Sequence, residues 1–231
     1  MLKEKFLEFG YTEEEYYEIR ESYGVSNYSD ETLLKKFSNI TLFFLELGYT
    51  KEEVIKMTKV LPNIYGLSIE NIKRKINDMV SLGYTKEEVI KMTKTLPNIY
   101  GYSIENIKQK INDMVSLGYT KEEVIKMTKT LPTIYGLSIE NIKQKLDFYD
   151  SINMRELTVV NSKLLMQSVA LSYARYKFYL SMGIEINMKS YRRLFINNKL
   201  FEKTYGITRQ EILEKYNYDR YMEENRNGRT I

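Results

Sequence analysis

The chain has 231 residues, 35 basic and 31 acidic side chains, a formal net charge of +4 and 43% apolar residues, the balance of a soluble globular or repeat protein. It has no cysteine and no histidine, which excludes disulfides, thiolate sites, Ser-His-Asp triads, Cys-His pairs and ordinary zinc sites. No apolar run is long enough to span a bilayer, and any catalysis would fall to Asp, Glu, Lys or Tyr.

The first residues, MLKEKFLEFGYTEEEYYEIR, are charged and acidic, unlike a secretory signal or a basic transit peptide. With the absence of cysteine, they lead to the expectation of a reducing, cytoplasmic location. Residues 1–46 carry five basic and ten acidic side chains, a net of −5. Within them, Phe9-Gly10-Tyr11-Thr12-Glu13-Glu14-Glu15 opens a degenerate, acidic repeat unit, and Tyr23-Gly24-Val25-Ser26 reads as its inner linker.

The pattern sharpens over residues 47–150, which hold a net of +3. LGYTKEEVIKMTK is written three times without change, from Leu47, Leu82 and Leu117, and Thr50, Thr85 and Thr120 stand 35 residues apart. Between the first two full units only Val60/Thr95, Leu67/Tyr102 and Arg74/Gln109 differ. Recent tandem duplication explains the identity. A fixed period of this length predicts stacked units that bury their apolar faces against one another.

Each unit predicts two helices, near 86–96 and 104–117 in the second unit and at the same offsets 35 residues either side. Thr85 and Glu88 have the spacing of a capping box. Val89, Ile90, Met92 and Leu96 supply the apolar side. Pro97 ends the helix or starts a tight turn. Ser103 caps the second helix, with Tyr102 before it able to staple onto Ile107. Ile104, Ile107, Ile111, Met114 and Val115 recur at helical spacing, and Gly118 closes the helix. Met92 and Met114 read as packing residues.

Residues 151–231 hold a net of +6. Positions 146–204 keep helical character but lose the strict pattern. Tyr205-Gly206-Ile207-Thr208 reads as a returning linker, staple and cap, with Ile212 and Lys215 at the positions of Ile107 and Lys110. The divergent basic repeats run over 151–222, and 223–231 reads as a flexible tail. The predicted fold is all-α: a right-handed or curved α-solenoid of about six helix–turn–helix repeats.

The pattern L-G-Y-T-x-E-E-V followed by L-P-x-I-Y-G-x-S-x-E-N-I-x-x-K resembles the repeat of the mitochondrial transcription termination factor (mTERF) family. Leu82, Gly83, Glu87, Glu88, Val89, Leu96, Pro97, Ile99, Ser103, Glu105, Asn106, Ile107 and Lys110 carry it, most clearly over residues 47–145. The resemblance implies curved all-α units, each with two helices and a short turn of tighter helix. It also implies binding to double-stranded nucleic acid along a basic surface.

Two lysine columns fit that implication. Lys56, Lys91 and Lys126 form one, and Lys59, Lys94 and Lys129 the other. Like charges in a column are costly unless a polyanion or nearby carboxylates screen them, and Glu87 stands four before Lys91 in the favourable order. The basic end interleaves Tyr173, Arg175, Tyr176 and Lys177, then Tyr191, Arg192 and Arg193, where Arg forks suit phosphate and the tyrosines could equally be core. The ten candidate contacts are therefore Lys56, Lys59, Lys91, Lys94, Lys126, Lys129, Arg175, Lys177, Arg192 and Arg193. No catalytic or metal site is expected; the repeated Glu87-Glu88 serves capping. No cofactor and no membrane contact are expected. The expected partner is nucleic acid, duplex DNA ahead of RNA. The alternative is a protein-binding solenoid, acting as an adaptor or as an inhibitor of a nucleic-acid enzyme.

Overall fold

A computed structural model describes residues 1–227, and among these there is no strand. Two compact units divide the chain, Met1–Tyr135 and Gly136–Ile231.

The first unit opens with α1 (Leu2–Phe9), α2 (Glu13–Glu21) and α3 (Asp30–Glu46). Gly10 ends α1 at φ +112, a conformation open to glycine at little cost. Thr12 and Glu15 form a capping box that starts α2, as the degenerate motif predicts. The cap of α3 is Ser29. In the expected linker Tyr23-Gly24-Val25-Ser26, Val25 is buried.

The near-identical units follow with α4 (Lys51–Val60), α5 (Ile69–Leu82), α6 (Lys86–Thr95), α7 (Ile104–Ser116), α8 (Lys121–Thr130) and α9 (Ile139–Ser151). These ranges match the predicted helices within one or two residues. Thr50, Thr85 and Thr120 each accept the backbone N–H three residues on, and the Glu there returns to the cap N–H. Two otherwise orphaned N–H groups are satisfied at each start. Ser68, Ser103 and Ser138 cap the second helices. Between each pair runs a turn of tighter helix led by proline: Pro62–Gly66, Pro97–Tyr100 and Pro132–Gly136. Pro97 therefore does both jobs offered to it, since its missing N–H falls where none is needed.

Burial follows the helical stripe. Ile72, Ile76 and Met79 of α5 are buried, as are Ile107, Ile111 and Met114 of α7. Val115 departs from the predicted stripe: it is 40% exposed, one residue beyond Met114 and so turned about 100° away.

In the second unit, α10 (Glu156–Val160) is short, a tight turn covers Ser162–Met166, and α11 (Val169–Ser181) follows a Ser168 cap. The repeat plan survives here where its letters do not. Asn153 stands 35 residues after Gly118 and takes φ +53, which Asn tolerates better than other side chains. A tight turn at Tyr191–Phe195 then leads to α12 (Asn198–Tyr205), α13 (Arg209–Lys215) and α14 (Tyr218–Asn227). A core of Phe148, Tyr149, Leu157, Tyr173, Tyr179, Phe201 and Ile212 holds this unit.

Two readings of the basic end change. Tyr205-Gly206-Ile207-Thr208 is not an inner linker. Gly206 ends α12 at φ +67 and Thr208 forms a capping box with Glu211. Gly206-Ile207-Thr208 thus stands as a junction between units, in the manner of Gly83-Tyr84-Thr85, whereas Gly101 in the true linker has φ −89. The stretch expected as tail begins inside α14, which is helical to Asn227; residues 228–231 lie outside the described residues.

Candidate nucleic-acid interface

The dipeptide Thr-Lys near the end of each first helix faces two ways. In α6, Thr93 is fully buried and Lys94 is at the surface. Thr93 donates to the Ile90 carbonyl (2.9 Å) and accepts from Tyr100 (3.2 Å), whose hydroxyl lies 3.0 Å from that of Tyr49 in the preceding repeat. The same knot joins Thr58, Tyr11 and Tyr65, with Tyr11 and Tyr65 hydroxyls 2.9 Å apart. It joins Thr128, Tyr84 and Tyr135 again. Burial raises the pKa of Tyr49, Tyr84 and Tyr100 above the ordinary value, so the hydroxyls stay neutral and able to donate.

Lys94, on the other side, is 2.6 Å from Glu53 and donates to the Gly48 carbonyl at 2.9 Å. Lys59 reaches Glu15 at 2.6 Å and Lys129 reaches Glu88 at 2.9 Å. Each carboxylate is the capping-box Glu of the preceding repeat. The lysine beside it, then the cap N–H, holds each of the three below the usual carboxylate range.

The other column is different. Lys56, Lys91 and Lys126 are exposed, and among the described residues none has an ion-pair partner. The helical pair Glu87–Lys91 does not form. These three ammoniums recur at one offset on α4, α6 and α8, open to a ligand.

At the basic end, Arg192 and Arg193 are exposed on the tight turn Tyr191–Phe195, and Lys177 is exposed on α11. The Arg193 guanidinium lies 5.9 Å from the centre of the Tyr179 ring. Adjacent arginines cannot both be buried cheaply, and here neither is.

With the alternation of capped helix, proline-led tight turn and second helix in view, one comparison is decisive: a model of the mTERF family matches residues 4–201. The chain belongs to the mTERF family. No curated protein gives a significant match.

Members of the mTERF family are helical-repeat proteins generally associated with nucleic-acid binding rather than catalysis. Against that background the ten sequence candidates separate in this mTERF chain. Lys56, Lys91, Lys126, Lys177, Arg192 and Arg193 present free charge. Lys59, Lys94 and Lys129 are committed to Glu15, Glu53 and Glu88, which neutralise them. Arg175 requires a correction: it is only 3% exposed. Its guanidinium donates to the Leu194 carbonyl at 2.9 Å and to Asn198 Oδ1 at 2.8 Å, and packs 4.9 Å from the Phe201 ring centre. An arginine spent on these groups cannot also face a phosphate. Burial lowers its pKa, with Tyr179 opposing the shift.

Tyr173 is core as well, 8% exposed and stacked 4.7 Å from Tyr221. Tyr176 is half-buried, against Phe148. The sequence reading missed Lys86, Lys108 and Lys121, which are exposed and without ion pairs among the described residues. Lys108 and Lys121 rim a groove floored by Leu82, Ile111 and Val115. The signal available was register: Lys86 and Lys121 fall at one offset, 35 residues apart. No group of three or more carboxylates among the described residues could hold a metal ion.

Proposed function

We propose that this mTERF protein binds the backbone of duplex nucleic acid, DNA ahead of RNA, and does not catalyse a reaction. The observation that carries this reading is the free column Lys56, Lys91 and Lys126. Three cations at one offset in successive repeats stay unpaired while the neighbouring column is neutralised in every repeat. A duplex backbone is a periodic polyanion, and neutralising it releases counterions. Lys177, Arg192 and Arg193 present exposed charge of their own in the second unit.

Duplex binding measured by fluorescence anisotropy across a salt series tests the reading. If all six groups contact phosphates, the log–log salt slope approaches about −5. Single strands and RNA run in parallel decide the class of nucleic acid. Absence of any duplex or RNA binding at low salt overturns the proposal.

A second reading, a protein-binding module, has its own support. Glu14, Glu18 and Glu21 line one face of α2, exposed and unpaired among the described residues, beside exposed Tyr17. That face repels a polyanion and suits a basic protein surface. Partner capture that survives loss of the free lysines, with weak duplex binding at physiological salt, would favour it.

A further inference from the structure

Arg175 is a buried cation among groups that do not balance its charge. Among the described residues no carboxylate pairs with it, and its Nε has no hydrogen-bond partner. Burial of an unbalanced charge is costly, and an apolar side chain of similar volume would often serve packing as well. What an apolar side chain could not do is reach the backbone of the next segment. Arg175 Nη1 donates to the carbonyl of Leu194, and Nη2 to the side chain of Asn198 at the start of α12. One turn further along α11, Tyr179 donates to the carbonyl of Arg193 at 3.4 Å. Residues four apart share a helix face, so this face of α11 grips two successive carbonyls of one tight turn.

That turn, Tyr191–Phe195, carries Arg192 and Arg193. A single turn of tighter helix has poor intrinsic stability, and among the described residues neither arginine makes an ion pair; Arg193 rests against the Tyr179 ring. Leu194, whose carbonyl Arg175 holds, is 1% exposed, while Arg192 and Arg193 are exposed, Arg193 with its guanidinium over the Tyr179 ring.

We infer that Arg175 is the positioning residue of the Arg192–Arg193 turn: it anchors the turn to α11 so that the two exposed guanidiniums are presented to a phosphate backbone. The presentation rests on the nucleic-acid reading above; the anchoring does not. The fork of arginine suits the task, because its two arms meet a carbonyl and an amide in fixed geometry.

The test uses the full chain and four variants: Arg175→Met, Arg175→Lys, the pair Arg192→Gln with Arg193→Gln, and the triple combination of Arg175→Met with that pair. Two readouts separate anchoring from binding. Limited trypsin cleavage after Arg192 and Arg193 reports opening of the turn, and duplex anisotropy across salt reports phosphate contacts. Anchoring predicts cleavage at the turn about tenfold faster in Arg175→Met, with cleavage after Lys56 unchanged and partial rescue by Arg175→Lys. Presentation predicts that Arg175→Met and the Arg192/Arg193 pair each reduce the salt slope by about 2. The triple variant then falls no further, since the effects share one route.

Unchanged cleavage at the turn overturns the inference. So does a slope loss of about 1 that adds to the loss from the pair, which would make Arg175 a direct contact. If wild-type protein binds no duplex while Arg175→Met still opens the turn, the anchoring stands and the nucleic-acid reading falls. Should Arg175→Met not fold, Asn198→Ala removes one arm of the grip alone and is read in the same two assays.

Discussion

Lys94 Nζ and the backbone N–H of Thr50 meet at one oxygen of Glu53, at 2.6 and 2.8 Å. Thr50 and Glu53 belong to one repeat and Lys94 to the next. The group that starts a helix in one repeat thus also holds the end of a helix in its neighbour. Glu15 with Lys59 and Glu88 with Lys129 make the same link between repeats, with the lysine on one carboxylate oxygen and the cap N–H on the other.

This sharing should make the first unit acid-sensitive. The folded pKa values of Glu15, Glu53 and Glu88 lie below the ordinary 4.5. A depressed carboxylate contributes stability that is complete above the unfolded pKa and is lost as pH falls through the folded value. Stability should therefore hold from neutral pH to about 4.5 and drop below it. Urea midpoints at neutral pH and about pH 3 should show a smaller acid loss for Glu53→Gln with Glu88→Gln than for wild type. An equal loss in both would place the acid sensitivity elsewhere.

The buried threonines should matter more than their exposed neighbours. Thr93→Val keeps the shape but removes the acceptor of Tyr100 and the group beside Tyr49. The expected cost is about 1–3 kcal/mol, that of leaving a buried polar group short of a partner. Thr95→Val, on the exposed side of the same helix, should stay within about 0.5 kcal/mol. Urea unfolding with unchanged m-values reads both, and equal midpoints would remove the knot from the account.

Gly83 closes α5 at φ +116, and a Cβ there would meet Ile125 Cδ1 at 3.0 Å. Gly83→Val should lose on the order of 1–3 kcal/mol, from backbone strain that a β-branched residue resists. Lys86→Ala, three residues on and exposed, should change little. The difference in melting temperature measures it.

The two lysine columns should come apart by experiment. Replacing Lys56, Lys91 and Lys126 with Gln should reduce the duplex salt slope by about 2.7 and weaken all sequences alike, since phosphate contacts carry no base information. Replacing Lys59, Lys94 and Lys129 should lower the melting temperature and change the slope less. The reverse pattern would mean that the ion pairs with Glu15, Glu53 and Glu88 open on binding.

The sequence by itself determined the repeat, because local chemistry writes helix ends directly. A Thr with a Glu three residues on satisfies two N–H groups wherever it occurs, and a Gly ending a helix takes a backbone form other residues avoid. The helices of residues 51–151 follow from those letters, as does family membership. Only the tertiary structure decided which lysine column is free, because pairing depends on what the neighbouring repeat brings within about 3 Å, and no single repeat contains that fact. The same holds for the two faces of Thr-Lys, where one residue is core and the next surface. Tertiary structure also recovered Asn153 in place of glycine, and moved Arg175 from surface to interior. Its charge argued for solvent, but its position on α11 buries it, where hydrogen bonds to the Leu194 carbonyl and Asn198 offset part of the cost of leaving water.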